Sequence, residues 1–116
     1  MSDNGTQAEV AVTRVTDARP EHYAISYGGE RGGLTAYVDA GQQRIFFHTE
    51  IDDRFGGHGL GTALIRAALD DTRAAGLRIV PICPFVKAFV EKHHDFDDLV
   101  DPVTPQAVAA VEAVAG

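Results

Sequence analysis

The sequence predicts an α/β (α+β) domain, a mixed and mostly antiparallel sheet with helices packed on it. Three observations point there. Between Glu21 and Ile51, three segments alternate apolar and polar residues and are joined by short connections. From Leu60 onward the apolar residues switch to helical spacing. A short apolar run follows that helix, and a strand reached through a helical crossover pairs parallel to the one before it.

The elements follow in order. Val10, Val12 and Val15 outline a short first strand. Glu21 to Tyr27 is the second, with Tyr23, Ile25 and Tyr27 alternating against His22, Ala24 and Ser26. The four glycines between Gly28 and Gly33 predict a turn. Leu34 to Asp39 is the third strand, and Ala40-Gly41-Gln42 turns the chain again. Arg44 to Ile51 is the fourth, with Ile45, Phe47, Thr49 and Ile51 on one side and Arg44, Phe46, His48 and Glu50 on the other. These segments form an antiparallel meander. The helix spans Leu60 to Ala75 and stops at Gly76. Leu77 to Ile82 is the parallel strand, with Pro81 marking a break in pairing. Pro84 opens a helix to His93 along a stripe of Phe85, Phe89 and Val90. An acidic loop holds Asp95 to Asp98. Thr104 then caps a last helix, Gln106 to Ala115, in which Val108, Val111 and Val114 repeat every third residue. The expected organisation is a flexible tail over residues 1–9, one domain over 10–101, and an appended helix over 102–116.

Composition limits the function classes. With 45% apolar residues in 116, the chain has enough for one core. Seventeen acidic residues against ten Lys and Arg give a charge of -7, which disfavours nucleic acid and anionic membranes as partners. Cys83 is the sole cysteine, so no internal disulfide forms. No apolar run approaches a membrane span, and the first residues lack the blocks of a signal peptide. We expect a cytoplasmic protein, monomeric or weakly dimeric.

The segment Asp52 to Thr62 joins the strongest strand to the strongest helix and contains Gly56, Gly57, Gly59 and Gly61. Glycine lets backbone approach a ligand closely, and a helix start offers unpaired N–H groups at the positive end of its dipole. Together they predict an anion site on the amides of Gly56, Gly57, His58, Gly59, Leu60, Gly61 and Thr62. A Walker loop needs a lysine after its last glycine, and Thr62-Ala63 supplies none. In the dinucleotide fingerprint begun at Gly57, Thr62 stands where Gly or Ala is required. A plain tight turn is the other reading.

The pattern resembles the acetyl-CoA pyrophosphate loop of the GNAT superfamily, in the register Arg54-x-x-Gly57-x-Gly59 or Gly56-x-x-Gly59-x-Gly61. The second lies flush against the helix, with Gly56 in place of the usual Gln or Arg. His48-Thr49-Glu50-Ile51 and Cys83-Pro84-Phe85-Val86 flank the loop and resemble a short GNAT-like branch, although Ile51 replaces valine and Asp52 stands where proline is common. The resemblance covers about residues 20–100. It implies a minimal GNAT acyl-CoA N-acyltransferase fold and acetyl-CoA, or coenzyme A, entering where strands part near Ile51 and Cys83. It places Phe85 beside that cofactor. Lys87, and Lys92 beyond it, are candidates for the 3′-phosphate.

Acetyl transfer to an amine needs a proton acceptor for the ammonium, a polarised carbonyl and a proton for the leaving thiolate. His48 and Glu50, two apart on one strand face, are candidate acceptors, or else a partly solvated strand face. Cys83 is a candidate nucleophile, mixed-disulfide partner of CoA or general acid, or else a small buried hydrophobe. His93-His94-Asp95 does not suit a metal, because adjacent histidines diverge and the acidic spacing fits no calcium loop. Two functions remain open: an N-acetyltransferase acting on a small-molecule or protein amine, and a non-catalytic module that binds CoA or a protein.

Overall fold

The computed structural model describes residues 9–55 and 59–115. Among them, five strands form one sheet in chain order: β1 (Val10–Val15), β2 (His22–Tyr27), β3 (Glu30–Ala40), β4 (Gln43–Ile51) and β5 (Arg78–Pro81). The first four pair antiparallel, and β5 runs parallel to β4. Helix α1 (Leu60–Ala74) makes the crossover, and α2 (Pro84–Lys92) and α3 (Pro105–Ala115) follow. The architecture is the mixed sheet with packed helices that the two periodicities imply.

The sheet is covered on both faces. On one, α1 buries Leu60, Leu64, Ile65, Ala68 and Leu69, and α2 buries Val86, Phe89 and Val90. They meet Tyr23, Ile25, Tyr37, Phe46 and Ile79 from the strands. On the other, Ala107 of α3 sits against Ile45 and Val80. Alternation sends neighbouring strand residues such as Ile45 and Phe46 to opposite cores. Gly76, at φ 75°, ends the crossover helix as expected, since that conformation strains any side chain.

Several local expectations are corrected. Only Gly28 and Gly29 turn, at φ 60° and 87°, as a two-residue hairpin loop requires. Strand β3 already begins at Glu30 and runs through Gly32 and Gly33. Gly32 is the extra residue of a bulge, and a Cβ at Gly33 would collide with the Glu50 carbonyl oxygen. In β4 the alternation shifts at Phe47, because Tyr37 pairs with Phe46 and Ala36 with His48, leaving Phe47 between them. The bulge moves Thr49 and Ile51 from the side of Ile45 to the side of Phe46. Pro81, by contrast, does mark the end of the pairing, as the last rung opposite Phe46. The acidic loop is a 3-10 turn, His94–Leu99, which buries Phe96.

The bulk of Arg44 is buried at 2% exposure, where alternation alone implied a mixed strand face. Its Nε and Nη2 donate to both Asp39 oxygens at 2.7 and 2.8 Å, and Nη1 donates to the Tyr23 hydroxyl at 2.6 Å. Burial opposes its charge most, but Asp39, Tyr23 and Tyr37 together outweigh it and hold the guanidinium firmly protonated. Burial, and then the bond it donates to Asp71, push the Tyr23 phenol up.

Candidate active site

The site arises where β4 and β5 stop pairing. Their register ends at Phe46 and Pro81. The Phe46 carbonyl accepts from both the Ile82 N–H at 3.1 Å and the Cys83 N–H at 2.9 Å. Cys83 caps α2 in an extended conformation and Pro84 starts the helix, so the chain turns away from β4 there. Strand β4 continues to Ile51 with no partner strand on that edge among the described residues. The parting therefore begins nearer Phe46 than the resemblance implied. The wedge is a cleft of about 450 Å³ lined by Phe47, His48, Thr49, Cys83, Pro84 and Phe85.

Three of the sequence candidates lie on this part of the sheet. Cys83 is a free, buried thiol that donates to Thr49 Oγ1 at 3.1 Å. His48 reaches Glu50 through Nε2 and Oε2 at 2.7 Å, both side chains more than half exposed. His48 and Cys83 line the same cleft, whereas Glu50 stands behind His48 over a second hollow of about 300 Å³ beside Gly33, Leu34 and Asp52. The carboxylate thus orients the imidazole, and an imidazole hydrogen-bonded through Nε2 presents Nδ1 as its remaining nitrogen. Near that hollow, the hydrogen bond from the Arg54 side chain, and then its backbone N–H, lower the Asp52 carboxyl.

The glycine loop is described in part. Gly56, Gly57 and His58 lie outside the described residues. Gly59 caps α1 at φ 69° with no side-chain cap, and its carbonyl accepts from Ala63. The N–H groups of Leu60, Gly61 and Thr62 have no acceptor among the described residues, as befits the first turn of a helix. The Leu60 side chain is core, which leaves its backbone amide as the only candidate contact there. Gly61 is tightly covered: a Cβ there would lie 2.5 Å from Phe85 Cζ.

Phe85 departs from its expected place. The buried stripe of α2 is Val86, Phe89 and Val90, while Phe85 is 42% exposed. Its ring lines the cleft and also lies over Gly61, so one side chain joins the wedge to the start of α1. Lys87 is exposed one turn into α2, and its N–H donates to the Cys83 carbonyl. Lys92, at the end of α2, is exposed as well. Ile51 does not touch the cleft; it is half-buried against the main core and pairs with Gly33.

Two residues escaped the sequence reading. Thr35, fully buried, lies opposite Thr49, and their hydroxyls are 2.9 Å apart. The signal was Thr49 itself, a polar residue between His48 and Glu50, but without the bulge its side chain is assigned to the wrong face. A larger hollow, about 560 Å³, lies at another part of the sheet between the β1–β2 connection, β3 and the end of α3. It contains neither the thiol nor the helix start. Among the described residues, no group of three or more His, Cys, Asp or Glu is arranged to hold a metal ion. His94 Nδ1 pairs with Asp97 at 3.0 Å.

The family model of the GCN5-related N-acetyl-transferases matches residues 22–99. That span runs from β2 through the 3-10 turn after α2 and contains every candidate residue above. A comparison with curated proteins finds no match.

Proposed function

The chain belongs to the GCN5-related N-acetyltransferase family, and on that premise we propose that it transfers an acetyl group from acetyl-CoA to an amine, borne by a small molecule or a protein. The observation that carries this reading is the junction at Phe85. A cleft holding a thiol and an imidazole opens beside a helix start whose three first amides have no acceptor among the described residues. Acetyl-CoA supplies the activated thioester. The amides of Leu60, Gly61 and Thr62 would hold its diphosphate, because N–H groups and helix dipole act there together. Gly59 leaves no side chain in the way, the space over Gly61 is taken by the Phe85 ring, and Lys87, exposed one turn into α2, would serve the 3′-phosphate. The edge of β4 beyond Phe46, without a partner strand among the described residues, offers main-chain groups to an amide-bearing arm.

His48 takes the proton from the incoming ammonium, with Glu50 holding the ring. Cys83, at the closed end of the wedge, gives a proton to the leaving sulfur. His48→Ala is expected to lower turnover by about 10²–10⁴ while acetyl-CoA still binds. Within the family, the segments His48-Thr49-Glu50-Ile51 and Cys83-Pro84-Phe85-Val86 resemble those of human N-acetyltransferase domain-containing protein 1, and we place the chain in that short branch. No helix among the described residues is long and apolar enough to cross a membrane. We assign it to the cytoplasm, where the Cys83 thiol stays reduced.

The open, exposed setting of His48 and Glu50 favours a second reading, a module that binds CoA without turnover. One experiment separates the two. Calorimetry with acetyl-CoA measures binding, and release of free CoA thiol in the presence of a panel of amines measures turnover. Binding with amine-dependent release supports the enzyme, binding alone the module, and no heat at millimolar acetyl-CoA removes both.

A further inference from the structure

We propose that Thr49 is the positioning residue for Cys83, and that the Thr35–Thr49 hydroxyl pair stabilises the sulfur once Cys83 has given up its proton. The inference rests on the reading of Cys83 as proton donor. A strand position facing a core suits valine as well as threonine, and a buried hydroxyl costs stability unless it is bonded. Here two threonines face each other in register, one fully buried, at 2.9 Å. Such a pair alone is a cross-strand contact that stabilises sheets. Thr49 goes further, because its oxygen also accepts from the Cys83 thiol at 3.1 Å.

Each hydroxyl has one proton and two lone pairs, so a three-member chain can run in either sense. With the thiol intact, sulfur donates to Thr49, and Thr49 donates to Thr35. With the proton gone, Thr49 turns its O–H toward sulfur and Thr35 turns its own toward Thr49. The bond to charged sulfur is stronger than the weak S–H bond it replaces. The cleft's other titratable group, His48, has its Nε2 engaged by Glu50, so Thr49 is the sulfur's hydrogen-bond partner among the described residues.

The step balances as follows. The amine, after losing its ammonium proton to His48, forms a bond from nitrogen to the acetyl carbon. The carbon–sulfur bond breaks with its electron pair going to the CoA sulfur, which takes the proton of Cys83. The second nitrogen proton, shed as the amide forms, returns to the Cys83 sulfur. CoA leaves as a thiol, the product leaves as an amide, and His48 releases its proton to water.

Cys83 is the chain's only cysteine, so its alkylation can be followed without interference. At mildly alkaline pH, iodoacetamide should react about tenfold more slowly with Thr49→Val than with wild type, the loss expected for a hydrogen bond to a charged group. Thr49→Ser should restore the rate to within about twofold, since it returns the hydroxyl. In turnover, Thr49→Val should lower kcat by about tenfold with the KM for acetyl-CoA unchanged, and should have no further effect in Cys83→Ala, because both substitutions remove one unit. Equal alkylation rates in folded Thr49→Val and wild type, or multiplying effects in the double variant, overturn the proposal. If Thr49→Val does not fold, Thr35→Val takes its place, with a slowing of about threefold expected from weakening the chain by one member. Wild-type protein that acetylates no amine overturns the catalytic half along with the functional reading, while a Thr49-dependent alkylation rate still upholds the hydrogen-bond chain.

Discussion

Glycine inside the first turn of a helix is about 1 kcal/mol worse than alanine, so Gly61 needs a cause. Its φ is not positive, so the backbone does not demand it. The Phe85 ring does, since a methyl would meet Cζ at 2.5 Å. The ring is exposed and can move, so Gly61→Ala should fold and swing Phe85 off the cleft wall. Calorimetry should then show acetyl-CoA binding weakened by about three- to tenfold, the worth of one aromatic contact. With Phe85→Ala already in place, the same substitution should raise stability in urea by about 0.5–1 kcal/mol. A gain in the single variant with binding untouched would mean that Phe85 does not serve the cofactor. The glycine spacing was legible in the sequence, but its reason was not. The obstructing ring sits twenty-four residues away by numbering, on an element whose facing only tertiary packing decides.

At the scale of elements, the wedge must be closed at one end to stay open at the other. Strand β5 is four residues long, and the closed end is tied by Asp101. Its N–H donates to the Ile79 carbonyl, and its carboxylate accepts from Gln43 Nε2 at 2.8 Å and Arg78 Nε at 2.7 Å. Those residues begin β4 and β5. The Gln43 hydrogen bond, and then that of Arg78, hold the carboxyl below the usual range. A depressed folded value contributes stability above the unfolded value, about 3.9, and loses it as pH falls through the folded one. Asp101→Asn should therefore cost about 1 kcal/mol at neutral pH, a modest figure because Arg78 is well exposed. The gap from wild type should close as pH falls past the unfolded value and through the lower folded one. Denaturant titrations at several pH values would show it, and a gap unchanged in acid would deny the ionic role. Element types and order were legible because period two and period 3.6 are printed in the residues themselves. Bulges were not. One extra residue at Phe47 reverses which side chains reach the core, and nothing local announces it, which hid the pair Thr35 and Thr49.

At the scale of the molecule, one face of the sheet depends on α1 and α2 and the other on α3. The family match ends at residue 99, before α3, yet Ile45 and Val80 are wholly buried against Ala107. The sequence marked this helix through Thr104, whose hydroxyl does accept from the Ala107 N–H at 3.2 Å. Of its valine repeat only Val111 faces the sheet. Val108 and Val114 are exposed, while Ala107, Ala110 and Val111 turn inward. Small residues let the helix lie close on the strands, a choice that a search for large apolar residues overlooks. Paired substitutions test this orientation. Ala107→Asp would bury an unpaired carboxylate against two fully buried aliphatics, and should cost about 3 kcal/mol or more, a large share of the stability of a domain this size. Val108→Asp, one residue on and exposed, should stay within about 0.5 kcal/mol of wild type. Thermal melts of both variants decide it, and equal losses would mean that α3 does not seat on Ile45 and Val80. Acetyl-CoA binding measured on the same proteins then shows how far the wedge depends on the opposite face. Since Val80 precedes Pro81 on the strand that forms one side of the wedge, a loosened α3 should weaken binding before the fold is lost.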